Sequence, residues 1–177
     1  MRMRKKKNLS SRMEACQANW ITQPAALRGR WRDLFPAARE VRVEVGCGKG
    51  GFVVEAAKRN PDINYIAVEM ARNVIVSAME QAKEAELPNL KFLMGKAEYL
   101  EKFFPEKSVE RIYLNFSCPY PKETYKKHRL THSGFLNIYK RILVEGGEIH
   151  QKTDNMKLFE FSIESFSECG FRLRNIS

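Results

Sequence analysis

Apolar residues recur along this chain in two alternating rhythms. Short strand-like runs stand at "VRVEV" (41 to 45), "NYIAVE" (64 to 69), "LKFLM" (90 to 94), "RIYLNF" (111 to 116) and "GEIHQKT" (147 to 153). Between them the spacing changes to that of a helix: Val74, Ile75, Ala78, Met79 and Ala82 fall on one face of "ARNVIVSAMEQAKEAE". Phe159, Ile163 and Phe166 do the same before Gly170, a natural helix stop. Strands separated by helices predict an α/β fold, a doubly wound and mostly parallel sheet. The last segment, "FRLRNIS", reads as a sixth strand that runs out at Ser177.

Length and charge narrow the class. The 177 residues suffice for one α/β domain and not for two. No internal repeat, low-complexity tract or membrane-length apolar run interrupts the pattern, so the expectation is a cytoplasmic protein with no membrane partner. Lys and Arg number 31 against 21 Asp and Glu, a net charge of +10, which favours a polyanionic partner. Six of those bases lie in "MRMRKKKNLSSR" without an acid or a following apolar stretch, so residues 1–20 read as a basic arm and 21–177 as the domain. The four cysteines form no C-x-x-C pair. His128 and His132, four apart, stand among bases without a partnering acid, so no metal site is expected.

The first candidate chemistry is the turn that closes "VEVGCGKGGF". Gly46, Gly48 and Gly51 fit the G-x-G-x-x-G of dinucleotide folds, which hold a pyrophosphate at a helix N-terminus; Gly46, Gly48 and Gly50 equally fit the acid-led turn of S-adenosylmethionine-dependent methyltransferases. Charge separates the two. Glu44, two residues before the first glycine, opposes a pyrophosphate but suits a ligand that carries an ammonium and a sulfonium. Glu69 ends the next strand, where it can accept ribose hydroxyls from either cofactor. A dinucleotide-dependent oxidoreductase is further disfavoured by the lack of a second nucleotide-binding half.

The second candidate is "NFSCPYPK", at the carboxyl end of the run at 111 to 116, where ligands sit in open α/β sheets. Pro119 and Pro121 stiffen this rim, and Tyr120 between them can stack on a base. Lys122, Lys126, Lys127 and Arg129 follow as a basic track.

With these motifs the chain resembles the bacterial tRNA (guanine-N7-)-methyltransferases, which modify a variable-loop guanosine. The likeness runs through "MRMRKK", "VEVGCGKG", "NPDINYIAVE", "RIYLNFSCPYPK", "HRLTHSGFL", "GGEIHQKTDN" and "LFEFSIESFSECG", nearly the whole chain. It implies the class I methyltransferase fold, S-adenosylmethionine as cofactor and tRNA as partner. It also implies a cofactor site at Glu44, Gly46, Gly48, Gly50, Glu69, Lys96, Glu98 and Cys118, with substrate residues Tyr120, Lys122, Arg129 and Asp154. Cys118 stands where the family has an aspartate, Tyr120 where it has tryptophan, and Lys96, with Glu98 close by, where it tends to have a further aspartate. Cys118 is expected to line the methyl-transfer pocket without acting as a nucleophile, because guanine N7 already carries a lone pair and no proton. The replaced acids keep a second reading open, a non-catalytic RNA-binding relative. The family's remaining substrate motif lies on a C-terminal hairpin that this sequence stops before, so the expectation is a truncated sequence or a naturally abbreviated protein. Oligomeric state, monomer or homodimer, is not legible.

Overall fold

The computed structural model describes residues 6–37 and 40–177. Six strands form one parallel sheet: β1 (Trp20–Ile21), β2 (Val41–Val45), β3 (Asn64–Glu69), β4 (Leu90–Met94), β5 (Val109–Asn115) and β6 (Leu143–Lys152), in the order β1-β4-β3-β2-β5-β6. The helices are α1 (Leu9–Glu14), α2 (Gly51–Arg59), α3 (Arg72–Glu84), α4 (Leu100–Phe103), α5 (Ser133–Ile142) and α6 (Met156–Glu168).

Strand periodicity builds a core on each face of the sheet. On β3, Tyr65 and Ala67 pack with α2 and α3 residues such as Val54, Ala57, Ala78 and Met79, while Ile66 and Val68 pack with Leu136 and Tyr139 of α5 and Phe166 of α6. Val41, Val43 and Val45 of β2 share the α5 core, which leaves Arg42 and Glu44 on the α2 face. The chain winds outward from β2 to β4 and then returns to β5. The strand order therefore reverses between β2 and β5, and at such a reversal the ligand crevice of an open α/β sheet lies outside the carboxyl ends of the two strands.

Two expectations need correction. Residues 171–177 form no strand. Gly170, at φ 74°, ends α6 as expected, but the Phe171 N–H then turns back to the Phe166 carbonyl, and the Phe171 ring meets Phe166 edge-on at 5.5 Å. Phe171 and Leu173 pack against the core, and the segment has no ladder partner. The sixth strand is instead Trp20–Ile21, paired with Phe92 and Leu93 of β4.

The boundary at residue 20 also fails as a division between arm and domain. Met13 and Cys16 are buried in the α3 core, the Arg12 guanidinium grips Glu80 of α3, and Asn19 donates to the Leu87 and Leu90 carbonyls. A two-turn helix with one buried methionine is too short to show as a period. The first five residues of the expected arm lie outside the described residues.

Candidate active site

Glu44 comes from β2, one residue short of its end, and its side chain lies beneath α2. It is 3% exposed. Asn115, the last residue of β5, donates to its Oε1 at 3.0 Å, while Oε2 is buried with no hydrogen-bond partner. Burial raises the carboxyl to about 7 although the Asn115 bond and the nearby Val53 backbone N–H oppose the rise, and the negative charge of Glu69 adds to it.

The turn after β2 is built from glycines at positive φ: Gly46 at 79°, Gly48 at 57° and Gly50 at 86°. Gly50 is doubly constrained. It precedes α2, and a Cβ placed there would lie 2.7 Å from the Ala78 Cβ, so α2 and α3 can close together only over a bare backbone. Glu69, at the end of β3, ties the turn to the next helix: its Oε2 accepts from the Gly48 N–H at 3.1 Å and its Oε1 from the Ala71 N–H at 2.9 Å. From the helix side, the Gln81 amide donates to the Lys49 carbonyl at 2.7 Å. Glu44, the turn and Glu69 thus form one connected wall of the crevice. Lys96 and Glu98 follow β4 on its far side, both exposed.

The opposite wall follows β5. The Phe116 N–H donates to the Lys152 carbonyl of β6 at 2.8 Å, and Phe116 and Tyr120 both adopt left-handed backbone, φ 50° and 43°. Cys118 is exposed between them. Burial raises the Tyr120 phenol, with the charges of Cys118 and Glu98 adding, and its ring lies 5.7 Å from that of His128. Lys122, Lys126 and Lys127 are exposed, the latter two in a 3-10 turn over Glu123–His128. Asp154 is exposed just beyond β6, next to Asn155, whose side chain caps α6 at the Leu158 N–H.

Arg129 departs from the basic track with which the sequence groups it. It is 6% exposed and lies over the Phe161 ring, 4.5 Å from its centroid. Its guanidinium donates to the carbonyls of Pro119 and Tyr120 at 3.1 Å and to Glu123 at 2.9 Å. A planar fork with several donors can hold two carbonyls and a carboxylate at once, so Arg129 shapes the loop from behind rather than facing a substrate. His132 is likewise occupied, accepting from the Gly134 N–H at the start of α5.

Two members of the crevice were not singled out by the sequence. Asn115 and Phe116 sit inside "LNFS", where the second candidate rim was read from its prolines and tyrosine. A polar residue closing an apolar strand beside an acid on the neighbouring strand is a usable signal, but only once β2 and β5 are known to be neighbours.

Comparison with known proteins identifies the family and the fold. A family model described as "Putative methyltransferase" matches residues 38–175. The chain is 46% identical over 177 residues to the tRNA (guanine-N(7)-)-methyltransferase of Geobacillus sp. (strain WCH70), covering 100% of this chain and 80% of the relative. It is 45% identical over 177 residues to the enzyme of that name from Listeria innocua serovar 6a, 83% of which is covered. Among solved structures, a SAM dependent methyltransferase from Aquifex aeolicus superposes with a TM-score of 0.60 at 14% identity, over 96% of this chain and 92% of that one. Precorrin-6y C5,15-methyltransferase from Geobacter metallireducens GS-15 gives 0.61 at 13% identity, over 94% and 75%. These two likenesses show the fold. The sequence matches carry more: the chain belongs to the tRNA (guanine-N(7)-)-methyltransferase family.

Proposed function

We propose that this chain transfers the methyl group of S-adenosylmethionine to N7 of a variable-loop guanosine in tRNA. The observation that supports it is the crevice itself. An acid-led glycine turn tied to Glu69 faces the stiff 116–122 rim across the β2/β5 reversal, on a protein of net charge +10. Its place of action is then the cytoplasm, with tRNA as the polyanionic partner.

The residues present fit the cofactor. Glu44 has a buried oxygen without a partner and a carboxyl raised by burial, and a cation beside it relieves both costs. The Glu69 oxygens each take one backbone N–H and keep lone pairs for ribose hydroxyls. Gly46, Gly48 and Gly50 let the backbone approach closely, and Lys96 and Glu98 flank the β4 side. When bound, S-adenosylmethionine would supply an electrophilic methyl group on its sulfonium, and transfer to the N7 lone pair would leave the S–C electron pair on sulfur and the positive charge on the purine.

No proton is displaced, so the protein's tasks are alignment and stabilisation of that charge. Cys118 lines the pocket on a loop held by Arg129, and Lys122 and Asp154 stand on the substrate side. Neither a nucleophile nor a general base is required of Cys118. A labelled-methyl transfer assay on unmodified tRNA tests this with wild type, Cys118→Asp and Cys118→Ser side by side. Cys118→Ser is expected to retain activity and Cys118→Asp to retain or raise it, by about ten- to a hundredfold at most for one charge-assisted hydrogen bond. Activity in wild type with none in Cys118→Ser would overturn this role for Cys118. Inactivity of all three would favour the non-catalytic RNA-binding reading, for which the loss of acids at Cys118 and Lys96 is the motive.

A further inference from the structure

A folded chain leaves large apolar side chains in water singly, and a group of them on one edge marks a surface that something covers. Among the described residues seven large hydrophobics are exposed, and four belong to the carboxyl edge of the sheet. Met70 directly follows β3, Met94 ends β4, Phe116 directly follows β5, and Met156 opens α6 shortly after β6. Phe116 is 65% exposed.

Phe116 differs from the methionines in its backbone. Its φ of 50° is in the left-handed region, which disfavours a bulky aromatic residue, and such strain collects where a side chain must be aimed. The turn is fixed on both sides: Phe116 itself donates to the Lys152 carbonyl, and the preceding Asn115 is bonded to Glu44. The ring is thus held in the open by a pinned backbone, on the wall that faces the glycine turn. Tyr120, the aromatic that the sequence suggests for stacking, has its ring against His128 and its carbonyl bound by Arg129.

We propose that Phe116 is the platform on which the target guanine stacks during methyl transfer, an inference that rests on the reaction proposed above. Stacking is the general way proteins hold unpaired bases, because every base has a π-face. Methylation at N7 also makes the purine a cation. The face of an aromatic ring carries negative charge, so its attraction for the purine grows as the methyl group arrives. An interaction that strengthens along the reaction raises kcat more than it tightens ground-state binding. Phe116 therefore acts on the chemical step, while lysines on the surrounding surface supply most of the tRNA affinity.

The test compares Phe116→Leu, Phe116→Trp, Phe116→Gly and Tyr120→Leu in single-turnover methyl transfer to unmodified tRNA, with calorimetric binding of S-adenosylhomocysteine as a check on the cofactor wall. Phe116→Leu should lower the methyl-transfer rate about ten- to hundredfold, the scale of base–aromatic stacking. Phe116→Trp should remain within about threefold of wild type. Phe116→Gly should lose as much rate as Phe116→Leu while melting no lower than wild type, since glycine accepts the left-handed backbone. Tyr120→Leu should cost less than Phe116→Leu, and all four should bind S-adenosylhomocysteine as wild type does. A Phe116→Leu protein that transfers methyl at the wild-type rate would overturn the stacking role while leaving the reaction standing. So would equal losses in Phe116→Leu and Phe116→Trp, or a larger loss in Tyr120→Leu. A wild-type protein that binds S-adenosylhomocysteine and methylates no tRNA would overturn the reaction and the stacking role together.

Discussion

Glu44 carries the sharpest residue-level consequence. Burial lifts its carboxyl from 4.5 to about 7, so between those pH values the folded chain holds a proton that the unfolded chain has lost. The stabilisation is fully present below about pH 4.5 and is lost as pH rises through 7, on the order of 3 kcal/mol in all. Urea unfolding at pH 5 and pH 8 should show wild type losing about 2 to 3 kcal/mol more than Glu44→Gln over that interval. Parallel profiles for the two proteins would mean that Glu44 is not held in this way. If Glu44 faces the ammonium as proposed, the same substitution removes that negative charge, so the variant that gains stability at pH 8 should bind S-adenosylmethionine more weakly. Stability and binding pulling in opposite directions is the signature of a group kept in place for a ligand.

At the level of elements, the glycine turn and the Arg129-clamped rim are the two rigid parts of the site. Gly50→Ala must place a Cβ at φ 86° and 2.7 Å from the Ala78 Cβ, and should destabilise the fold by about 2 to 4 kcal/mol in urea unfolding. A stability near that of wild type would show that α2 and α3 can separate freely. Arg129→Lys keeps the charge but lacks the fork that spans Pro119, Tyr120 and Glu123, so the amides of the 116–121 rim should exchange hydrogen faster. Unchanged exchange there would remove Arg129 as the clamp. These elements also show what a sequence can and cannot disclose. The central strands, α3, the helix stop at Gly170 and the positions of Glu44 and Glu69 at strand ends were legible because periodicity and glycine spacing are local signals. Arg129 was grouped with surface bases because nothing local distinguishes a buried guanidinium from an exposed one. The inner face of α6 was misread for the same reason: it presents Ser162 and Ser165, bonded to Thr131, beside Leu158 and Phe166, a polar junction between elements that hydrophobic spacing cannot register. β1 escaped notice because two residues make no pattern.

Across the whole molecule, charge and crevice must work together. Lys6 meets Asn73 and Ser77 on α3, close after Glu69, so the chain enters the described structure near the carboxyl end of β3, with Lys122, Lys126 and Lys127 exposed beyond the end of β5. No helix among the described residues is long and apolar enough to cross a membrane. Binding of tRNA is expected to weaken steeply with salt, and deletion of residues 2–7 should lower the log–log slope by roughly 0.7 to 0.9 for each phosphate that those bases neutralise. The same affinity and slope after the deletion would mean that these bases do not touch the nucleic acid. The most direct measurement follows the methyl group itself. Unmodified tRNA is incubated with this protein and labelled S-adenosylmethionine, then digested to nucleosides, which are separated and counted. The expected result is label in 7-methylguanosine alone; label in any other nucleoside, or none where the protein demonstrably binds both S-adenosylmethionine and tRNA, would contradict the assignment.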